Sequence, residues 1–278
     1  MSDAIFVKGL QKTFRTFTMG PVDFKINKGA LTMLLGCNGS GKTTLMKCIC
    51  GQYVPDAISE ETRDDIKSLK KGFVFDECPF PDCYQVSKLS EIMSRLFPDW
   101  NKQKFHELCL KLQIDPEKRV YELSKGSRTK LQVAVNLSHD VDLLLLDEYS
   151  LGLDEQSKKV VLSELRNYLD DNRSIVLSTH DTSNIYQYAD YVILMNGGKI
   201  VFDLDIPTIQ DTFGIIRTSS PGPIVDEDCI IVSQRNGYGR TYLVKDKKEL
   251  QEKFDQIVIE TASIQDILSM YSEGAANE

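Results

Sequence analysis

Residues 36 to 43 read Gly-Cys-Asn-Gly-Ser-Gly-Lys-Thr, which satisfies the spacing G-x-x-x-x-G-K-[ST]. An apolar run, Ala30-Leu31-Thr32-Met33-Leu34-Leu35, precedes it, and a helix-forming run, Thr44-Leu45-Met46-Lys47-Cys48-Ile49, follows. A strand, a glycine-rich loop and a helix in that order leave few folds open to a chain. Gly36, Gly39 and Gly41 let the backbone curl so that successive N–H groups point inward as an anion nest. That nest runs through Cys37, Asn38, Ser40, Lys42, Thr43 and Thr44, and the dipole of the following helix adds positive potential at the same place. Lys42 is placed to reach β- and γ-phosphates, and the Thr43 hydroxyl to ligate Mg²⁺. A plain glycine-rich turn with an exposed lysine is the alternative, and the flanking strand and helix argue against it. The expected ligand is a nucleoside triphosphate.

The chain has 278 residues, which suits one large domain with a small appendage. Hydrophobic residues make up 41% and charged residues 27%, enough apolar material for a packed core. The net charge of −8 and the lack of a basic block speak against a nucleic-acid partner. No apolar run approaches the ~20 residues that span a bilayer, so direct membrane insertion is not expected. The start, Met1-Ser2-Asp3-Ala4, lacks the features of a signal peptide, and a cytoplasmic location is expected. Seven scattered cysteines with no CxxC pair read as reduced thiols, and Cys37 as an incidental loop residue.

Ile5-Phe6-Val7 and the run from Phe17 to Ile26 read as antiparallel strands that turn at Asn27-Lys28-Gly29. After the loop helix, a polar acidic stretch from Ser59 to Asp65 leads to a strand at Gly72-Phe73-Val74-Phe75. Apolar residues at three- and four-residue steps predict helices over 86–97 and 102–112, with a stop and a new cap at Pro98-Asp99-Trp100-Asn101. Leu143 to Leu146 and Ile175-Val176-Leu177 are apolar throughout, as in a parallel sheet buried on both faces. A helix from Asp154 to Leu169 separates them, and a hairpin turning at Asn196-Gly197-Gly198 follows from Tyr191. Ser219-Ser220-Pro221-Gly222-Pro223 is the clearest shift in composition. Short strands at 229–233, 241–244 and 256–259 beyond it, with helical stretches, predict a small α+β appendage.

Asp147-Glu148 closes the four-leucine strand, where parallel strand ends converge on the phosphate loop. Asp147 would accept a bond from Thr43 or from Mg²⁺-bound water, and Glu148 would orient and deprotonate the attacking water. Leu123-Ser124-Lys125-Gly126-Ser127 opens a helix, so a serine cap and a glycine offer a second set of free N–H groups. His180 follows the strand Ile175 to Thr179. Singly, these would be an ordinary strand end, a capped helix and an idle histidine.

As an ordered set over roughly residues 1 to 205, they resemble the nucleotide-binding subunit of ABC transporters. Walker A is Gly36 to Thr43, Walker B is Leu143 to Asp147, and Glu148 sits at the catalytic-glutamate position. The signature is Leu123 to Ser127, the D-loop Ser150-Leu151-Gly152-Leu153-Asp154, and the switch histidine His180. The resemblance implies catalytic roles for Glu148, His180 and Lys42, and phosphate contacts from Ser124 and Gly126. It places Phe14 where an aromatic stacks on adenine. The implied fold is an α/β P-loop NTPase of the ABC ATPase type, with parallel core sheet, antiparallel β subdomain and helical subdomain at about 80–140. The ATPase domain is expected over residues 1–215, and the α+β accessory region over 216–278. Further implied are ATP and Mg²⁺, a second ATPase subunit as homo- or heterodimer, and separately encoded permease subunits that hold the protein at the inner face of the membrane. Pro98-Asp99-Trp100 and the closing Ser263-Ile264-Gln265-Asp266-Ile267-Leu268 look like bacterial exporter ATPases of the antibiotic, bacteriocin or multidrug efflux subgroup.

Four positions depart from the family pattern. Asp76 stands at the Q-loop glutamine, where it could hold Mg²⁺-bound water but adds negative charge. Tyr149 replaces a usual proline, and Lys125 and Ser127 replace the commoner glycine and glutamine. Asp76 and Tyr149 motivate an alternative, a regulatory or immunity subunit that binds ATP and hydrolyses it weakly. A soluble non-transport ABC ATPase is a further one, disfavoured by the single cassette and the lack of a long coiled coil.

Overall fold

The structure, a computed structural model, describes residues 4–179, 182, 185–219, 225–236, 239–254 and 256–274. Strands β1 (Ala4–Thr13) and β2 (Thr18–Asn27) pair antiparallel as a two-stranded sheet. β3 (Leu31–Leu35) then runs into the glycine loop and helix α1 (Lys42–Cys50). α2 (Glu60–Ser68) precedes β4 (Lys71–Val74). Three helices follow: α3 (Val86–Leu96), α4 (Lys102–Lys111) and α5 (Lys125–Asn136). The chain continues through β5 (Leu143–Leu146), α6 (Glu155–Tyr168), β6 (Ser174–Ser178) and the short α7 (Ile185–Tyr188). β7 (Tyr191–Asn196) and β8 (Lys199–Asp205) form the expected hairpin. Last come α8 (Ile206–Thr212), β9 (Gly214–Thr218), β10 (Ile230–Asn236), β11 (Gly239–Val244), α9 (Lys247–Lys253), β12 (Glu260–Thr261) and α10 (Ile264–Gly274).

The central sheet has six strands in the order β4-β5-β6-β3-β7-β8, parallel except for β8 at its edge. β5 explains its own four leucines. Leu144 and Leu146 face a core shared with α3, α4, α5 and α6, while Leu143 and Leu145 face a second core shared with α1 and the β1–β2 sheet. A strand covered on both faces has no position left for a polar residue. β3 is flanked by β6 and β7, with Leu31 opposite Ile175 and Thr32 opposite Tyr191. The carboxyl ends of β3, β5 and β6 therefore open on one edge.

Helices α3 and α4 lie where the apolar spacing puts them, and Asn101 caps α4 by accepting from the Lys104 N–H at 2.9 Å. The acidic stretch after Ser59 is a helix and not an irregular segment. Ser59 accepts from Thr62 N at 3.2 Å, but only Thr62 and Ile66 of α2 are buried, too few for an apolar period to show. At the C-terminal end the sheet order is β10-β11-β9-β12. Its last strand is Glu260–Thr261, not 256–259, and pairs Glu260 with Ile215. The chain enters this sheet at Gly214, so the expected boundary between 215 and 216 falls inside β9.

All seven cysteines are free thiols. Burial pushes the Cys48 thiol up to about 11 and that of Cys109 up to about 12. Replacing Leu144 by Ala should lower unfolding stability by about 2–5 kcal/mol, because the cavity lies between close-packed layers that cannot collapse. Urea unfolding followed by circular dichroism measures it, and a loss under ~1 kcal/mol would contradict the packing of β5.

Candidate nucleotide site

The loop leaves β3 at Leu35 and is shaped by its glycines. A side chain at Gly36 would put a Cβ 2.3 Å from the Met195 carbonyl oxygen and 2.6 Å from Ser40 Oγ. Gly41, at φ 107°, ends the loop as the N-cap of α1 and supplies no side-chain cap. The first N–H groups of α1 thus lack the side-chain acceptor that most helices recruit. Ser40 Oγ is buried and has no hydrogen-bond partner among the described residues. Uncapped N–H groups and an orphan hydroxyl fit an anion carrying several oxygens. A cavity of about 340 Å³ lies over the loop, lined by Asn38 to Thr44, Glu148 and Phe17.

Lys42 is 5% exposed and points back along the loop. Its ammonium donates to the carbonyls of Gly36 (2.7 Å) and Cys37 (3.3 Å) and lies 3.8 Å from Glu148 Oε1. Beside it, Thr43 Oγ1 donates to Asp147 Oδ1 at 3.2 Å. Ser178, at the end of β6, donates its hydroxyl to the same Oδ1 at 2.7 Å and accepts the Glu148 N–H at 2.8 Å. Glu148 has φ 49°, a left-handed backbone that a non-glycine residue rarely adopts. Thr43, Asp147, Glu148 and Asp76 line one cavity of about 650 Å³. Asp76 is paired there with Lys125, whose ammonium is 2.6 Å from Oδ1.

Two groups of expected residues stand apart from this cluster. Ser124 caps α5, accepting from Ser127 N at 3.1 Å, and Gly126 packs on the D-loop, where a Cβ would fall 2.2 Å from the Gly152 carbonyl oxygen. Neither lines the loop cavity. Phe14 is 40% exposed and meets Tyr53 edge-on, with ring centroids 5.7 Å apart. His180 lies outside the described residues. Tyr149 is 2% exposed and packs in the core next to the helical layer.

Two residues at the site were not singled out from the sequence. Phe17 is the aromatic that lines the loop cavity, and nothing in the spacing distinguishes it from Phe14. Ser178 could have been found. The runs ending at Leu146 and Leu177 pair in register, so the first polar residue after each run stands at the same strand edge.

Residues 19–150 match the family described as ABC transporter. The SkfA peptide export ATP-binding protein SkfE of Bacillus subtilis (strain 168) is 29% identical, over 74% of this chain and 90% of its own. The xylose/arabinose import ATP-binding protein XylG of Sulfolobus acidocaldarius is also 29% identical, over 73% of this chain and 88% of its own. Among solved structures, a dimeric bacterial ABC transporter cassette superposes with a TM-score of 0.62 at 18% identity, covering 72% of this chain and 98% of that one, which shows the shared fold. Loop, strand-end carboxylates and fold agree with these likenesses: the chain carries the ATP-binding domain of the ABC transporter family.

Proposed function

We propose that the chain binds and hydrolyses ATP in a head-to-tail pair of ATPase subunits, and that the cycle drives export through separate permease subunits. The observation that carries this reading is the division of the site. The loop, Asp147 and Glu148 gather at one strand edge, while Ser124 and Gly126 face elsewhere at the start of α5. A second subunit would complete each site by bringing its Ser124 and Gly126 over the phosphates.

In this reading Lys42 leaves its carbonyl partners for the β- and γ-phosphate oxygens, and the α1 N–H groups hold the remainder. Thr43 and Asp147, with Asp76 alongside, would hold Mg²⁺, whose charge when bound offsets that of the phosphates. Glu148 would orient the attacking water and accept its proton. Its backbone bond to Ser178 fixes where that carboxylate starts, and His180 would contact the γ-phosphate from the next strand end.

Among the described residues no helix is long and apolar enough to cross a membrane, so the substrate path is assigned to a partner. The likeness to the SkfA peptide export protein supports the outward direction, together with the exporter-like segment from Ser263 to Leu268. ATP-dependent accumulation in inside-out vesicles that contain the co-purifying permease would support export. Accumulation only in right-side-out vesicles would mean import.

Lys42→Ala should weaken ATP binding by about a hundredfold or more, since charge-assisted bonds to two phosphates are lost. Calorimetry reads this, and unchanged affinity would sink the loop assignment. Glu148→Gln should keep ATP affinity, slow hydrolysis by about 10²- to 10⁴-fold, and leave a dimer that survives gel filtration in ATP. Parental turnover in that variant would remove Glu148 from the role of base.

A further inference from the structure

Helix α5 holds the segment 73–82 with one face. Asn136 Nδ2 donates to the Phe73 carbonyl at 3.3 Å, and Gln132 meets both backbone groups of Phe75, at 2.8 and 3.0 Å. One turn nearer the N-terminus, Arg128 lies 3.4 Å from Asp82 Oδ1 and also donates to the Leu123 carbonyl. Lys125 completes the row at Asp76, 2.6 Å away. Positions 125, 128, 132 and 136 follow the three- and four-residue step that aligns side chains along a helix. Asp76 is thus fixed between two cavities. One holds Thr43, Asp147 and Glu148, and the other, of about 760 Å³, is lined by Lys125 and Arg128.

Two departures from the family pattern meet in this contact, a carboxylate at 76 and an ammonium at 125. Asp76, Glu77, Asp147 and Glu148 line one cavity against a single lysine of its lining, Lys47, with Lys42 as the buried ammonium beside Glu148. A triphosphate brings several more negative charges into the same space, and an uncompensated carboxylate at Asp76 would add to the repulsion. We propose that Lys125 is a positioning residue for the nucleotide site of its own chain: it holds Asp76 and cancels its charge, so that the carboxylate is tolerated beside the phosphates. The proposal rests on the ATP-binding reading. The two side chains are about half exposed, 54% and 51%, so the pair adds little to folding stability. Its effect falls on charge and direction at the cavity.

The test is a double-mutant cycle on ATP affinity, measured by calorimetry on the full chain with and without Mg²⁺, using Lys125→Ala, Asp76→Asn and the two together. Lys125→Ala should weaken binding of Mg²⁺-free ATP about two- to fivefold at low salt, less at high salt, with the melting temperature unchanged. In the Asp76→Asn background the same change should do nothing. Equal weakening in both backgrounds would overturn the proposal, because Lys125 would then act only as a general positive charge. No weakening in the parent, or a matching loss of melting temperature, would overturn it too. A parent chain with no measurable ATP affinity would sink the ATP-binding reading itself.

Discussion

Asp147 Oδ1 accepts hydrogen bonds from two hydroxyls on different elements, Thr43 from the first turn of α1 and Ser178 from the end of β6. The carboxylate is 5% exposed, and a buried carboxylate is costly unless such donors replace water. Satisfying it ties the helix after the glycine loop to the end of β6, one strand beyond β5. Ser178 then accepts the Glu148 N–H, which draws the next residue into its left-handed backbone and sets the second carboxylate toward Lys42. The parallel register of β3, β5 and β6 makes this possible by bringing their ends to one edge. A shift of one residue in β5 would turn Asp147 to the opposite face and dissolve the network.

The same sheet edge places demands on α5. Its polar face is spent on the segment 73–82, and its first turn is pressed onto the D-loop at Gly126 and Gly152. Gly126 is therefore required by packing as well as by any phosphate contact, since a methyl group there would overlap the Gly152 carbonyl. A rigid helix gripped at both ends cannot move Ser124 without moving either the Asp76 segment or the D-loop. Geometry alone thus links the part of the chain that would contact one nucleotide to the part that would contact the other.

Much of this was readable from residues in order. Four leucines ending in Asp147-Glu148 specify a doubly buried strand with polar atoms at its end, and the glycine spacing specifies the loop. Local chemistry was enough in both cases because each signal sits on one element. Ion pairs and aromatic contacts across elements leave no such trace: Asp76 and Lys125 are 49 positions apart, and α2 buries too little to show a period. Phe14 and Phe17 are equivalent as letters and differ only by which way the β1–β2 turn presents them.

The C-terminal sheet follows the same logic of shared burial. Ile209, Phe213, Ile215, Leu243, Ala262, Ile264, Ile267 and Met270 belong to the core cluster that also holds Leu144, Leu146 and Val161. Only a smaller cluster around Ile216, Tyr242 and Leu250 is private to the unit. The Ile264 N–H donates to the Tyr186 hydroxyl at 2.9 Å, which fastens the start of α10 to α7, six residues beyond His180 in sequence. An appendage with a separate core could swing on its linker. One whose apolar residues continue the core around Leu144 and Leu146 would expose those residues if it did, so shared burial holds it against the larger unit.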